Sequence, residues 1–223
     1  MAIIAISESA RTDALRLLGL APEKITVIYP GVSQAFFDAP AAHAPGKPYV
    51  LFVGTVEPRK NLHILLNAWD GLRADLREAF DLVVAGAWGW GDRAILDRLH
   101  SGAGGVRYLG YVAEPDLPGL TAGAAAFVYP SLYEGFGLPL AQAMAAGVPC
   151  ITSNVSSLPE VAGDAALLVD PRSPAELRAA LERLLDSESV RKDLGQRGRT
   201  RAARFTWQES ARQSWQFFER VAG

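Results

Sequence analysis

Short apolar runs alternate with longer amphipathic stretches along most of the chain. Residues 2–7, 25–29, 49–53, 82–85, 106–109, 125–129, 150–152 and 166–169 are almost wholly apolar, which predicts buried strands. Residues 9–18, 61–80, 93–101, 138–146, 174–186, 190–204 and 207–221 place apolar side chains at helical spacing and predict helices. A strand followed by a helix, many times over, predicts the α/β class: a doubly wound parallel sheet with helices on both faces. Ligands of such sheets bind beyond the carboxyl ends of the strands. The turns that follow residues 53 and 129 are therefore where chemistry is expected.

The alternation breaks once. Pro30-Gly31 and then residues 38–48, rich in Pro, Gly and Ala, carry no periodicity and predict a linker. One strand, one helix and one more strand precede it, too little for a domain. Residues 1–36 thus read as the end of another sheet whose remaining strands are absent. Residues 37–48 read as the linker, 49–205 as a full α/β domain, and 206–223 as a separate final helix.

Composition adds mainly exclusions. A chain of 223 residues with 49% hydrophobic and 21% charged side chains is ordinary for a soluble protein. A net charge of -2 argues against a nucleic-acid surface. No apolar run approaches the roughly 20 residues of a membrane-spanning helix, and the first six residues lack the basic start of a signal peptide. The expectation is a cytoplasmic protein. Cys150, the single cysteine, has no internal disulfide partner and reads as a small buried residue.

Two stretches carry chemistry. Ser131-Leu-Tyr-Glu134-Gly-Phe-Gly-Leu-Pro139-Leu-Ala-Gln142 follows a predicted strand. Gly135 and Gly137 let backbone approach a ligand closely, and Pro139 suits a first helical turn. A strand, a glycine-bearing turn and a helix N-terminus make a seat for phosphate. Glu134 enters that turn and Gln142 lies one turn into the helix, so both reach a ligand held there. The second stretch, Gly54-Thr-Val-Glu57-Pro58-Arg59-Lys60-Asn61, also follows a strand. Arg59 grips phosphate oxygens in pairs and Lys60 adds a point charge. Together they would neutralise a diphosphate as it leaves, without a metal. Asn61 is placed to cap the next helix. The plainer reading is a solvated turn in which Glu57 pairs with Arg59.

These two stretches resemble the C-terminal domain of retaining GT-B glycosyltransferases of group 1, in particular the bacterial mannosyltransferases of polysaccharide assembly. Residues 147–160 and 163–171 carry the same resemblance, and residues 3–10 and 25–32 resemble the end of that family's N-terminal domain. The resemblance implies a Rossmann-like, nucleotide-sugar-binding domain. It implies that Arg59 and Lys60 hold the donor diphosphate, that Glu134 is the catalytic-site acid near the transferred sugar, and that Gly54 lies in the same donor turn. The amides around Gly135, Phe136, Gly137 and Leu138 would approach donor sugar or phosphate, and Tyr111 and Val112 the base. The family's ribose-binding acid falls at Gln142, where an amide offers one neutral acceptor in place of a carboxylate. No cofactor or metal is implied beyond the nucleoside-diphosphate sugar, for which GDP-mannose is the favoured identity. The acceptor, a glycan or lipid-linked sugar, would be met through the missing N-terminal domain, so the isolated chain is expected to bind donor without turnover. The whole enzyme is expected in the cytoplasm, or peripheral at the inner membrane. A non-catalytic binding module on the same fold is the competing expectation.

The remaining features have plainer readings. Gly86-Ala-Trp88-Gly-Trp90-Gly91 lacks the spacing of a dinucleotide fingerprint. His43, His63 and His100 are too scattered for a metal site. The arginines of 191–204 read as a solvated helix face. Trp207, Trp215 and Phe218 share roughly one face of the last helix, which packs on this domain or turns toward the missing one.

Overall fold

The computed structural model describes residues 2–40 and 46–222. Part of the predicted linker, with His43 in it, lies outside the described residues. The chain opens with a small unit: β1 (Ile3–Ala5), α1 (Glu8–Leu18) and β2 (Ile25–Val27), the two strands paired in parallel. A short α2 (Gln34–Asp38) follows, reaching into the region predicted as linker.

The larger unit holds six parallel strands: β3 (Tyr49–Val53), β4 (Asp81–Ala85), β5 (Val106–Gly110), β6 (Ala126–Tyr129), β7 (Cys150–Ser153) and β8 (Ala166–Val169). Their order across the sheet is β5-β4-β3-β6-β7-β8. Leu51 of β3 stands opposite Val83 on one side and Phe127 on the other. Helices cover both faces, which is why these strands are continuously apolar rather than alternating. Val50, Phe52, Leu82 and Val84 face α3 (Leu62–Asp70), α4 (Ala74–Ala79), α5 (Arg93–Ser101) and α9 (Pro174–Asp186). Tyr49, Leu51, Phe127 and Tyr129 face the other way, toward α2, α7 (Leu138–Ala145) and α8 (Leu158–Ala162). Two further helices, α6 (Leu117–Ala122) and α10 (Glu188–Ala202), complete the layers. No helix among the described residues is long and apolar enough to cross a membrane.

The strands fall where the apolar runs predict them, and the helix at 61–80 does not. It is two helices, broken at Gly71-Leu72-Arg73. Gly71 backs onto α9, where a Cβ would meet the Arg178 stem at 3.3 Å. The break also lets Trp69, Leu72 and Leu76 all enter the core. The helices α2, α6 and α8, of five or six residues, are too short to show a period, and the pattern does not reveal them.

Two passages of chain cross between the units. Val32 N–H bonds to the Phe205 carbonyl at 2.9 Å, and a Cβ on Gly31 would lie 2.2 Å from the Trp207 nitrogen. Beyond that crossing α11 (Trp207–Ala222) runs back to the first unit, where Arg220 donates to the Thr26 hydroxyl at 3.0 Å. Phe217 is the buried aromatic of this helix, while Trp207, Trp215 and Phe218 stand open.

A similar close approach joins α10 to the turn after α7, where a Cβ on Gly195 would lie 2.3 Å from the Gly147 carbonyl oxygen. In an unpacked helix Gly→Ala stabilises by about 0.5–1 kcal/mol. Here Gly195→Ala is expected to destabilise by about 1–3 kcal/mol through overpacking. A urea midpoint that is unchanged or raised would contradict this contact.

Candidate functional site

The sheet changes its direction of winding between β3 and β6: β4 and β5 lie to one side, β7 and β8 to the other. α3 follows β3 onto one face and α7 follows β6 onto the opposite one. The two connections diverge and leave a crevice at the carboxyl edge, which is where ligands of doubly wound sheets bind. Both predicted chemical stretches are these connections.

After β3 the chain passes Gly54, whose N–H bonds to the Ala85 carbonyl at 2.9 Å and which lies against the Lys60 stem. A single 3-10 turn, Pro58–Lys60, then presents the two cations. Asn61 closes the turn in the left-handed conformation (φ 61°) and does not cap α3 with its side chain. Its amide instead donates to the Pro130 carbonyl at 2.9 Å and the Pro171 carbonyl at 2.7 Å. Those two carbonyls are buried and need a donor, so the predicted cap is replaced by a tie between three strand ends.

Lys60 and Glu134 are both nearly buried, at 8% and 7% exposure. Lys60 Nζ donates to Glu134 Oε1 at 2.7 Å and to the Tyr129 hydroxyl. Arg59 Nη1 lies 2.8 Å from Glu134 Oε2, and its Nη2 lies 2.6 Å from Glu57 Oε1. The plain Glu57–Arg59 pairing is therefore present together with the pairing across the crevice. Burial would push the Glu134 carboxyl upward; the Lys60 ammonium, with Ser131 and Arg59, holds it below the usual glutamate value of 4.5. Burial, then the Glu134 charge, holds the Tyr129 phenol well above its usual value. The site thus carries two cations, two carboxylates and a neutral phenol.

The Glu134 backbone is fixed as firmly as its side chain. Its N–H donates to Ser156 Oγ at 3.1 Å and its carbonyl accepts from Ser157 Oγ at 2.9 Å. The Gly135 carbonyl accepts from Ser7 Oγ at 2.6 Å. The Phe136 ring turns inward against Tyr29 and Phe205. Gly137 starts α7 at φ 93°, a conformation that favours glycine. The N–H groups of Phe136, Gly137 and Leu138 bond to no protein group among the described residues, as expected at a helix N-terminus. Gln142 is half-buried on α7, and its side chain makes no hydrogen bond among the described residues.

Tyr111 and Val112 stand on the same edge but after β5, two strands from β3. Tyr111 is 77% exposed and Val112 is half-buried against the cluster that includes α7. The structure brings Arg59, Lys60 and Glu134 into contact, with Gly54 against Lys60 and residues 135–138 following Glu134 in the chain, and sets Tyr111 and Val112 two strands away along the same edge. Trp88 and Trp90 line a cleft of about 270 Å³ that adjoins the site through Glu57, with Val56, Pro58, His63 and Ile95 in the same wall. Among the described residues no group of three or more His, Cys, Asp or Glu side chains is placed to hold a metal ion.

Tyr129, Ser156 and Ser157 escape the sequence reading. Tyr129 did leave a signal: a tyrosine at the end of a buried apolar strand must find a partner for its hydroxyl.

A family model described as glycosyl transferases group 1 matches residues 33–201. The O-antigen chain mannosyltransferase B of Escherichia coli is 38% identical over 223 residues, covering 95% of this chain and 58% of that protein. The MMP alpha-(1->4)-mannosyltransferase of Mycolicibacterium hassiacum is 32% identical over 229 residues, covering 98% and 54%. The chain therefore spans a little over half the length of these two relatives. Among solved structures, sucrose-phosphate synthase from Thermosynechococcus elongatus shares the fold with a TM-score of 0.84 at 24% identity, over 99% of this chain and 58% of that one. Anabaena Alr3699/HepE, solved in complex with UDP-glucose, shares it with a TM-score of 0.81 at 19% identity, over 99% and 63%.

The lowered Glu134 pKa fixes the sign of an acid effect. Stability from an acid whose folded pKa is depressed is complete above the unfolded value, here about 4.5, and is lost as pH falls through the lower folded value. Glu134→Gln is expected to remove that part of the acid limb. At neutral pH it leaves the Lys60 charge without its counterion and costs about 3 kcal/mol. Urea titrations of both proteins between pH 3 and pH 7 (roughly the span of this linkage) would show the difference narrowing toward acid. A constant difference would contradict the assignment.

Proposed function

This chain belongs to the group 1 glycosyl transferases, and we propose that it is the donor-binding part of a retaining enzyme that moves a hexose from a nucleoside-diphosphate sugar to a glycan or lipid-linked acceptor. The observation that carries this reading is the meeting of Arg59, Lys60 and Glu134 at the switch point of the sheet, beside the unpaired N–H groups that open α7. A diphosphate entering there takes over the two cations, and Glu134, released from them, turns to the hydroxyls of the sugar. The same cations meet the charge that develops as the diphosphate departs, so the reading requires no metal. Gln142 would contact the ribose and the Tyr111-Val112 turn the base. Mannose is the favoured sugar, since both mannosyltransferases above are relatives, and GDP the favoured nucleotide.

A thermal-shift screen of the chain with GDP, UDP, ADP and their hexose esters tests the reading. One nucleotide raising the melting temperature supports donor binding and names the base. No shift with any would favour a non-catalytic module on the same fold, the reading to which the neutral Gln142 lends weight. With the stabilising nucleotide, Gln142→Glu is expected to tighten binding about tenfold, because a carboxylate accepts from both ribose hydroxyls through charge-assisted bonds. Calorimetry giving equal or weaker affinity would overturn that role. Arg59→Ala is expected to weaken the same binding by at least about tenfold, as a diphosphate contact is lost.

A further inference from the structure

Glu160 lies outside the site, on α8, yet its carboxylate holds three hydrogen bonds to the first unit. Oε1 accepts from the Glu8 N–H at 2.8 Å and from the Tyr29 hydroxyl at 2.7 Å; Oε2 accepts from the Ser9 N–H at 3.2 Å. The N-terminus of α1 is thus capped by a carboxylate more than a hundred residues away, where both hydrogen bonding and the helix dipole favour negative charge. The Tyr29 phenol is pushed up to about 12 by burial and by this carboxylate, so it remains a donor at neutral pH.

The same two segments meet again on the Glu134 loop. Ser7, which caps α1 through Ala10 N–H, donates its hydroxyl to the Gly135 carbonyl. The Ile6 side chain rests on Gly135, where a Cβ would sit 3.1 Å from its Cδ1. Tyr133 donates to Asp13 of α1 at 2.9 Å. On the other side Ser156 and Ser157, immediately before α8, grip both backbone atoms of Glu134. Arg201 in turn anchors α8, donating to the carbonyls of Glu160 and Val161 at 2.6 and 3.2 Å. The Glu134 loop is therefore held between α1 and α8, and Glu160 joins those two helices directly.

We propose that Glu160 is a positioning residue for Glu134: by fastening α1 to α8 it sets the spacing of the jaws that hold the Glu134 loop. One consequence concerns the loop alone; the second rests on the donor-site reading. Hydrogen–deuterium exchange on the unliganded chain addresses the first. Glu160→Ala is expected to speed exchange in residues 132–138 at least tenfold while α9 and α10 keep their rates. Glu160→Gln, which keeps one acceptor oxygen, should fall between, and Tyr29→Phe, a mild change, should give a smaller effect of the same kind. Loop exchange that does not change, or changes equally across the chain, would overturn the proposal.

Calorimetry with GDP and GDP-mannose addresses the second. A positioning role predicts that the ratio of the two affinities falls at least threefold in Glu160→Ala while GDP itself binds nearly as before, with partial rescue in Glu160→Gln. A merely structural role would weaken both ligands together, and that result would overturn it. If the unaltered chain bound neither probe, the donor reading would fail, and the exchange experiment would still decide the role of Glu160.

Discussion

An ammonium group that is almost entirely out of water has to be neutralised where it stands, and the arrangement around Lys60 follows from that requirement. Uncompensated, its burial would cost several kcal/mol. The protein sets the Glu134 carboxylate and the Tyr129 hydroxyl against it. A counterion is useful only if it cannot drift, so Glu134 is held at its N–H, its carbonyl and both carboxylate oxygens. The Lys60 turn is likewise tied down through Asn61 to the ends of β6 and β8. A pair of loops that each sit at the end of a strand thereby becomes one rigid body. The backbone of both loops is held in place, so that only side-chain ion pairs have to change if another anion comes to the cations.

The sequence exposes features set by burial and local geometry and conceals those made at long range. Tyr49–Val53 and Ala166–Val169 were legible to the residue because a strand covered on both faces is apolar throughout. Arg59, Lys60 and Glu134 were legible as candidates because each follows such a strand at the edge where ligands bind. Their mutual pairing was not, since Glu57, two residues from Arg59, offers an equally reasonable local partner, and the structure uses both. Asn61 misled for a related reason: its sequence position is that of a cap, but two buried carbonyls from distant segments compete for its amide. The break at Gly71 was hidden by an apolar period that continues across it. The grip of Glu160 on α1 leaves no local trace at all, because its donors are backbone N–H groups that any residue supplies.

The first unit and the large sheet meet through more than the linker. The bonds of Glu160 and Ser7 join them at the site loop, and the crossing of Gly31 over Trp207 joins them a second time, beside the start of α11. Two separated attachments define an orientation, whereas one would define only a distance. The small β1–α1–β2 unit thus sits in a set relation to the crevice even though its own two-stranded sheet is too small to be stable alone.

The charge balance of the unliganded crevice has a consequence at long distance. Arg59 and Lys60 are cancelled by Glu57 and Glu134, and Tyr129 stays neutral, so these groups together present no net monopole to the solvent. Beyond the Debye length of about 8 Å at physiological ionic strength, little field from them reaches an approaching anion. On the proposed reading, capture of a diphosphate by these groups would be a matter of unguided collision followed by an exchange of ionic partners at close range. Its rate should vary little with salt, unlike that of sites that draw their ligands in electrostatically.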